Sequence, residues 1–266
     1  MIDDSITRTA AGSTCISWRG APQRIEFAWV GMAASPHPPV VFLHEGLGSV
    51  AMWKDFPERF CAAHGRSGFV FSRPGYGRST ARPRDEHWAP DFMHRQAEEV
   101  LPALLAAVSI ARPWLFGHSD GASIALLHAA KHPVAGVIAV APHLFVEDVS
   151  IASIQKARDA YRSTDLRDRL SRYHDDADSA FHGWNDAWLS PSFRSWNIGR
   201  DIEGIAAPVL AVQGEDDEYG TLEQIRAVAR HIPGTRLVAI PRCGHSPHRD
   251  QPEALMREAG RFIASA

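Results

Sequence analysis

A serine hydroxyl becomes a useful nucleophile at neutral pH only when a base takes its proton and an acid orients that base. The chain carries candidates for all three, in that order. Ser119 lies in Gly117-His118-Ser119-Asp120-Gly121, between an apolar run that ends at Phe116 and a small-residue segment through Ala130. A strand turning at once into a helix there would hold the serine strained with its hydroxyl outward, and would need glycines where side chains collide. The helix start behind it offers free N–H groups and a partial positive charge where an oxyanion would form. Downstream, Glu215-Asp216-Asp217-Glu218 follows the apolar run 208–212, and His245 follows 237–240. Composition does not choose among the four acids.

Bringing such groups to one edge requires strands that end together. Apolar runs at 40–43, 69–71, 113–116, 137–140, 208–212 and 237–240 alternate with helix-like segments, and 14–18 with 25–30 reads as an opening hairpin. Continuous apolar runs bounded by turn residues predict strands buried on both faces, and the alternation predicts a parallel sheet. Open sheets of this kind build sites at the carboxyl ends of their strands. Over 91–108, Met93, Ala97, Val100, Leu104 and Val108 predict an amphipathic helix, with Pro102 against its continuity. A closing helix is expected from Pro252.

One interval breaks the rhythm. Residues 141–207 far exceed the dozen or so that a parallel crossover needs, and they read as helices over 151–161, 166–173 and 181–189. Phe181, Trp184, Trp188, Phe193 and Trp196 crowd its second half. Such aromatics either pack a small core of their own or wall a site beneath them.

With Leu43-His44-Glu45-Gly46-Leu47-Gly48, Arg73-Pro74-Gly75-Tyr76-Gly77-Arg78-Ser79, the serine turn, Gly214-Glu215-Asp216-Asp217 and Gly244-His245 before Gln251-Pro252-Glu253, the chain resembles the α/β-hydrolase fold family over nearly its whole length. The resemblance implies an α/β fold: a mostly parallel eight-stranded sheet with helices on both faces. It implies a core of residues 1–141 and 208–266 and a helical cap over 142–207. Ser119 would be the nucleophile, His245 the general base and acid, and Asp217, three residues past Gly214, the orienting acid. The N–H groups of Asp120 and Gly46 would form the oxyanion hole, with Leu47 as the alternative to Gly46. Leu47, Trp184 and Trp188 are the expected pocket lining. His44 and His118 are expected as struts of their loops, Asp120 as a first-turn acid that favours the helix dipole, and His248 as a candidate for the pocket wall. Where the family has His-Gly-X, this chain has His44-Glu45-Gly46, so the Glu45 carboxylate is expected to point away from an oxyanion or to pair with a base.

The reaction so implied is hydrolysis of a carboxylic ester or lactone of a small apolar or aromatic molecule, through an acyl-enzyme and without a cofactor. Haloalkane dehalogenases and epoxide hydrolases of the family would need an aspartate at Ser119. Carbon–carbon bond hydrolases of ring-cleavage products share the triad and cap and are the alternative, although they carry Trp where this chain has Ser246. Gly46-Leu47-Gly48-Ser49-Val50-Ala51 matches a dinucleotide cradle. The next strand ends Ser72-Arg73-Pro74, with no acid for a ribose, and Arg73 would suit only a 2′-phosphate. An NADP-dependent reductase would leave the Ser119, Asp217, His245 order unexplained, and a non-catalytic receptor has no use for it.

Fourteen histidines, with His245 and His248 three apart and a His174-Asp175-Asp176 cluster, come without HExxH or a thiolate pair, so no metal is expected. Lys and Arg number 28 against 31 Asp and Glu, a net charge of −3 that lacks the basic footprint of a nucleic-acid binder. Cys15, Cys61 and Cys243 are odd in number and far apart, which fits a reducing compartment rather than a disulfide framework. The acidic start Met1-Ile2-Asp3-Asp4-Ser5 is unlike a signal peptide. The longest apolar stretch, 134–146, falls short of the ~20 residues of a membrane span. The expectation is a cytoplasmic protein acting on a small molecule, with no membrane or nucleic-acid partner, as a monomer or homodimer.

Overall fold

The computed structural model describes residues 10–266; the acidic opening at residues 1–5 lies outside the described residues. The strands are β1 (Ala10–Trp18), β2 (Ala21–Gly31), β3 (Val40–Leu43), β4 (Ser67–Phe71), β5 (Trp114–His118), β6 (Gly136–Val140), β7 (Val209–Gly214) and β8 (Arg236–Ile240). They form one eight-stranded sheet in the order β1-β2-β4-β3-β5-β6-β7-β8. From β3 to β8 the strands run parallel, whereas β2 is antiparallel to both β1 and β4. Arg19 and Gly20 join β1 to β2 with φ of 54° and 76°, a left-handed pair whose twist matches that of the strands.

The helices are α1 (Phe56–Ala63), α2 (Phe92–Arg95), α3 (Leu101–Ala107), α4 (Asp120–Ala129), α5 (Asp148–Ser163), α6 (Leu166–Leu170), α7 (Ala177–Trp188), α8 (Glu223–His231), α9 (Pro247–Asp250) and α10 (Pro252–Ser265). Side chains alternate across each strand, and in the parallel strands both sets are apolar. Val40, Phe42, Val70, Phe116 and Ile138 join Phe60 of α1 and Leu255 of α10 in one core. Val41, Leu43, Phe69, Leu115 and Val137 lie in the other, with Leu104 of α3, Ile124 of α4 and Val228 of α8. Helices on both faces follow from strands that are apolar on both faces.

Several element boundaries differ from the sequence expectation. The helix expected over 91–108 is three pieces: α2, a π-helical turn (Gln96–Val100), and α3 with Pro102 in its first turn. Proline donates no N–H and its ring crowds the carbonyl four residues back, and the wider turn absorbs both defects. The hairpin strands are longer than 14–18 and 25–30, because an exposed antiparallel edge pairs polar residues as readily as apolar ones. β5 continues past 116 through Gly117 and His118, which carries the strand to the serine itself.

Between β6 and β7 the chain leaves the sheet for α5, α6, α7 and a 3₁₀ turn (Pro191–Phe193). α7 starts at 177 rather than 181 because the Asp176 side chain caps it, accepting the Ser179 N–H at 2.9 Å. Phe181, Trp184, Trp188, Phe193 and Trp196 are buried in the same apolar cluster as Leu43 and Leu115. No helix among the described residues is long and apolar enough to cross a membrane.

Phe116 sits at the centre of the α1–α10 face, with ring centroids 5.2 Å from Phe42, 6.1 Å from Trp53, 5.5 Å from Phe56 and 5.4 Å from Phe60. Phe116→Ala is expected to lower the unfolding free energy by about 3–5 kcal/mol, since these rings cannot close over the hole. Leu237→Ala, at a residue 40% exposed on β8, should change it by less than about 0.5 kcal/mol. Denaturant titration of both variants checks the contrast.

Candidate active site

β5 runs directly into α4 and leaves Ser119 at the junction with φ 54° and ψ −122°. That conformation is strained for a residue with a side chain. Crowding enforces it: a Cβ on Gly117 would lie 2.3 Å from the Gly121 carbonyl oxygen, and one on Gly121 would lie 2.1 Å from the Leu43 carbonyl oxygen. Both positions must be glycine, and the serine between them is presented at the carboxyl end of β5.

The loops after β7 and β8 meet it there. His245 Nε2 is 2.9 Å from Ser119 Oγ, and His245 Nδ1 is 2.9 Å from each Asp217 oxygen. Asp217 also accepts the N–H of Tyr219 at 2.8 Å and of Gly220 at 3.2 Å, and the Gln213 side-chain amide at 2.6 Å. Burial alone would raise this carboxyl, but its hydrogen bond and charge interaction with His245, and the Tyr219 N–H, hold it below the usual carboxylate value. With Nδ1 donating to Asp217, Nε2 is left to accept the serine proton. The neighbouring acids go elsewhere: Glu215 and Asp216 are exposed, and the Glu218 carboxylate accepts the His245 main-chain N–H at 3.2 Å.

On the other side of Ser119 lies the loop after β3. The main-chain N–H groups of Asp120, Gly46 and Leu47 donate no hydrogen bond among the described residues. The Glu45 carboxylate turns towards bases, 3.6 Å from His118 Nδ1 and 3.3 Å from Arg249 Nη2. Burial would raise it, yet His118 and Arg249 hold it well below the usual range. His118 Nε2 donates to the His245 carbonyl at 2.7 Å, and His44 Nδ1 to the Glu45 carbonyl at 2.7 Å, so both histidines brace their loops. His248 is not part of the cavity wall. The short helix α9 carries it behind the site, where its ring packs 4.8 Å from His118 and 5.0 Å from Trp53.

A cavity of about 310 Å³ opens above Ser119 and His245. Gly46, Leu47 and Met52 line one side, and Ile154 of α5, Leu166 and Leu170 of α6, and Trp184 and Trp188 of α7 line the other. Trp184 comes so close that a Cβ on Gly46 would stand 2.1 Å from its Nε1. Three residues here were not anticipated from sequence. His143 lines the cavity, and burial, followed by the charge of His245, lowers its pKa to about 3. Tyr219 packs its ring 4.7 Å from that of His245, and Gln213 holds Asp217. Their one available signal was position, since each lies at or just past the end of a parallel strand.

Asp120 stands in the first turn of α4, as expected. It is nonetheless fully buried, accepts Trp188 Nε1 at 3.2 Å through Oδ1, and leaves Oδ2 without a partner among the described residues. Burial raises its pKa to about 6, against the opposing pull of Arg73 and the Trp188 hydrogen bond.

Residues 40–258 match the model of the alpha/beta hydrolase family. The chain is 26% identical over 258 residues to a 2-succinyl-6-hydroxy-2,4-cyclohexadiene-1-carboxylate synthase of Salmonella typhimurium, an alignment spanning 85% of this chain and 94% of that protein. Among solved structures, a carboxylesterase from the thaumarchaeon Nitrososphaera gargenis superposes with a TM-score of 0.75 at 16% identity, covering 95% of this chain and 98% of that one. The enol-lactonase from Burkholderia xenovorans LB400 superposes with a TM-score of 0.72 at 20% identity, covering 95% and 100%. At these identities the structural likeness shows the shared fold.

The buried Asp120 has a consequence for stability with a definite sign. Its native pKa of about 6 exceeds the ordinary 3.8, so the folded state binds the proton more tightly. Stability therefore falls as pH rises from about 4 to about 6, by roughly 3 kcal/mol for this group. Asp120→Asn keeps the acceptor for Trp188 and removes the titration. The variant's stability gain over wild type should grow between pH 4 and pH 7 in denaturant melts; a constant difference would contradict the assignment.

Proposed function

This chain belongs to the alpha/beta hydrolase family, and on that premise we propose that it is a serine hydrolase of small, uncharged, apolar or aromatic carboxylic esters or lactones. The observation that carries the reading is the continuous hydrogen-bonded chain Ser119–His245–Asp217, every link 2.9 Å, at the floor of a mostly apolar cavity.

Ser119 Oγ attacks the carbonyl carbon as His245 Nε2 takes its proton, and Asp217 stabilises the imidazolium so formed. The N–H groups of Asp120 and Gly46 receive the tetrahedral oxyanion, helped by the start of α4. Collapse breaks the bond to the leaving alcohol, which takes the proton from His245 and leaves an acyl-serine. Water, deprotonated by His245, then attacks the acyl carbon, and the acid departs as Ser119 regains its proton. Each step is assigned to groups of this chain, so the reading calls for no cofactor. Residues 142–207 serve as a cap in this reading, closing apolar walls over the reacting carbonyl, on a core built from the described residues before 142 and from 208–266.

A carbon–carbon bond reaction on a carboxylate is the second reading; the likeness to a synthase whose name is that of a carboxylate bears on the substrate alone. The charges around the cavity weigh against it. Glu45, Asp120 and Glu218 line it, and the one cation among its lining residues, Arg249, is engaged with Glu45. Such a wall repels a carboxylate and admits a neutral ester.

A panel of p-nitrophenyl esters of graded chain length, run beside a ring-fission product, decides between the two: ester turnover alone supports the first. Ser119→Ala and His245→Ala should each lower kcat on the order of 10⁴-fold or more, with the double variant scarcely worse, because such groups act as a unit. Asp217→Asn should cost up to about 10⁴ through the wrong imidazole tautomer, and Asp216→Asn, exposed, far less. Ester turnover that survives Ser119→Ala would sink the proposal.

A further inference from the structure

Arg73 takes no part in the steps above, yet its side chain is placed with unusual care. The residue is 1% exposed, and a buried charge is normally paired with a counter-ion. Here the guanidinium lies over the Tyr76 ring, 4.7 Å from its centroid, and Nη2 donates to the Glu45 carbonyl at 2.9 Å. Nε and Nη1 find no acceptor among the described residues. The same carbonyl accepts His44 Nδ1 at 2.7 Å and the Gly48 N–H at 3.1 Å. Arg73 also decides which His44 nitrogen carries the proton: its main-chain N–H donates to His44 Nε2 at 3.0 Å, which leaves Nδ1 as the donor. One residue thereby directs two of the three donors on a single oxygen.

A trans peptide points its C=O and the following N–H in opposite directions. Pinning the Glu45 oxygen on the Arg73 side turns the Gly46 N–H to the opposite side, and Gly46 lines the cavity of Ser119 with that N–H unused. We propose that Arg73 is a positioning residue that aims the Gly46 N–H at the oxyanion and lends that anion a buried positive charge; this rests on the acyl-transfer reading above. Donors on the carbonyl polarise the peptide and make its N–H a stronger donor. The Arg73 charge, screened little by water and also felt by the buried Asp120 carboxyl, favours the oxyanion over the neutral carbonyl. Arginine suits the place because it stays charged when buried and stacks on an aromatic ring, neither of which lysine does as well.

Arg73→Lys and Arg73→Met separate this role from a purely structural one. Each would be checked for folding by its melting curve, then measured for p-nitrophenyl ester kinetics and for affinity towards an aryl trifluoromethyl ketone. In that adduct Ser119 Oγ bonds the ketone carbon, His245 takes the serine proton, and the ketone oxygen becomes the oxyanion. Loss of an aimed donor should lower kcat about 10²-fold in Arg73→Met with KM changed less than about threefold, and weaken the ketone by a similar factor. Arg73→Lys should fall between. If Arg73→Met does not fold, Arg73→Lys carries the same comparison. A folded variant with kcat and ketone affinity within about twofold of wild type overturns the proposal, as does a loss confined to KM. Labelling of the wild type by a fluorophosphonate, abolished in Ser119→Ala, judges the acyl-transfer reading separately, because it does not involve residue 73.

Discussion

The contact on which the site depends is the approach of Gly121, in the first turn of α4, to the last carbonyls of β3. A Cβ there would stand 2.1 Å from the Leu43 oxygen and 2.6 Å from the His44 oxygen, closer than any other residue type allows. Two consequences follow from this single crossing. Ser119 is forced into its left-handed turn, and the loop from His44 to Gly46 is drawn beside it, so the serine hydroxyl and the unused N–H groups of Asp120 and Gly46 share one small volume. The strain at Ser119 is sustained because the strands on either side of β5 are packed on both faces and cannot relax around it.

Around that crossing the structure buries many ionisable groups, and their partners explain their states. Glu45 and Asp217 remain ionised because each meets basic groups or N–H donors that outweigh burial. The Asp120 side chain has, among the described residues, only Trp188 as a hydrogen-bond partner and moves the other way, towards the neutral acid. His44 and His143 are pushed by burial towards the neutral form, which suits a strut and a cavity wall. The electrostatics thus follow from which side chains found donors, more than from how deep each lies.

The helices between β6 and β7 are tied into this arrangement by shared burial. Trp184 and Trp188 belong to the same apolar cluster as Leu43 and Leu115 beneath them. Trp184 also occupies the space over Gly46 that a side chain would need. Packing of these helices against the sheet and the shape of the cavity are one and the same contact, so a change in their aromatics acts on both stability and site.

Much of this was legible in the chain itself, because it depends on neighbours in sequence. The continuous apolar runs identified β3 to β7 as strands buried on both faces, whereas the run at 237–240 became the largely exposed edge strand β8, and the two glycines around Ser119 marked a turn that tolerates no side chain. The long interval after β6 announced helices outside the sheet. What sequence could not decide were contacts between distant segments. Four consecutive acids look alike in composition. The β7–β8 ladder continues past both strands through the Glu215 N–H to Ile240 and the Asp216 N–H to Cys243, each 2.9 Å, so Asp217 is the first acid free to turn to His245. Pro102 was visible as a threat to its helix, but the π turn that accommodates it was not. The same holds for His143, for His248 behind the cavity, and for the two donors that Arg73 directs at one carbonyl. Local patterning is written in the spacing of apolar residues and glycines, whereas the direction of a buried polar side chain is set by whichever donors and acceptors folding brings within about 3 Å of it.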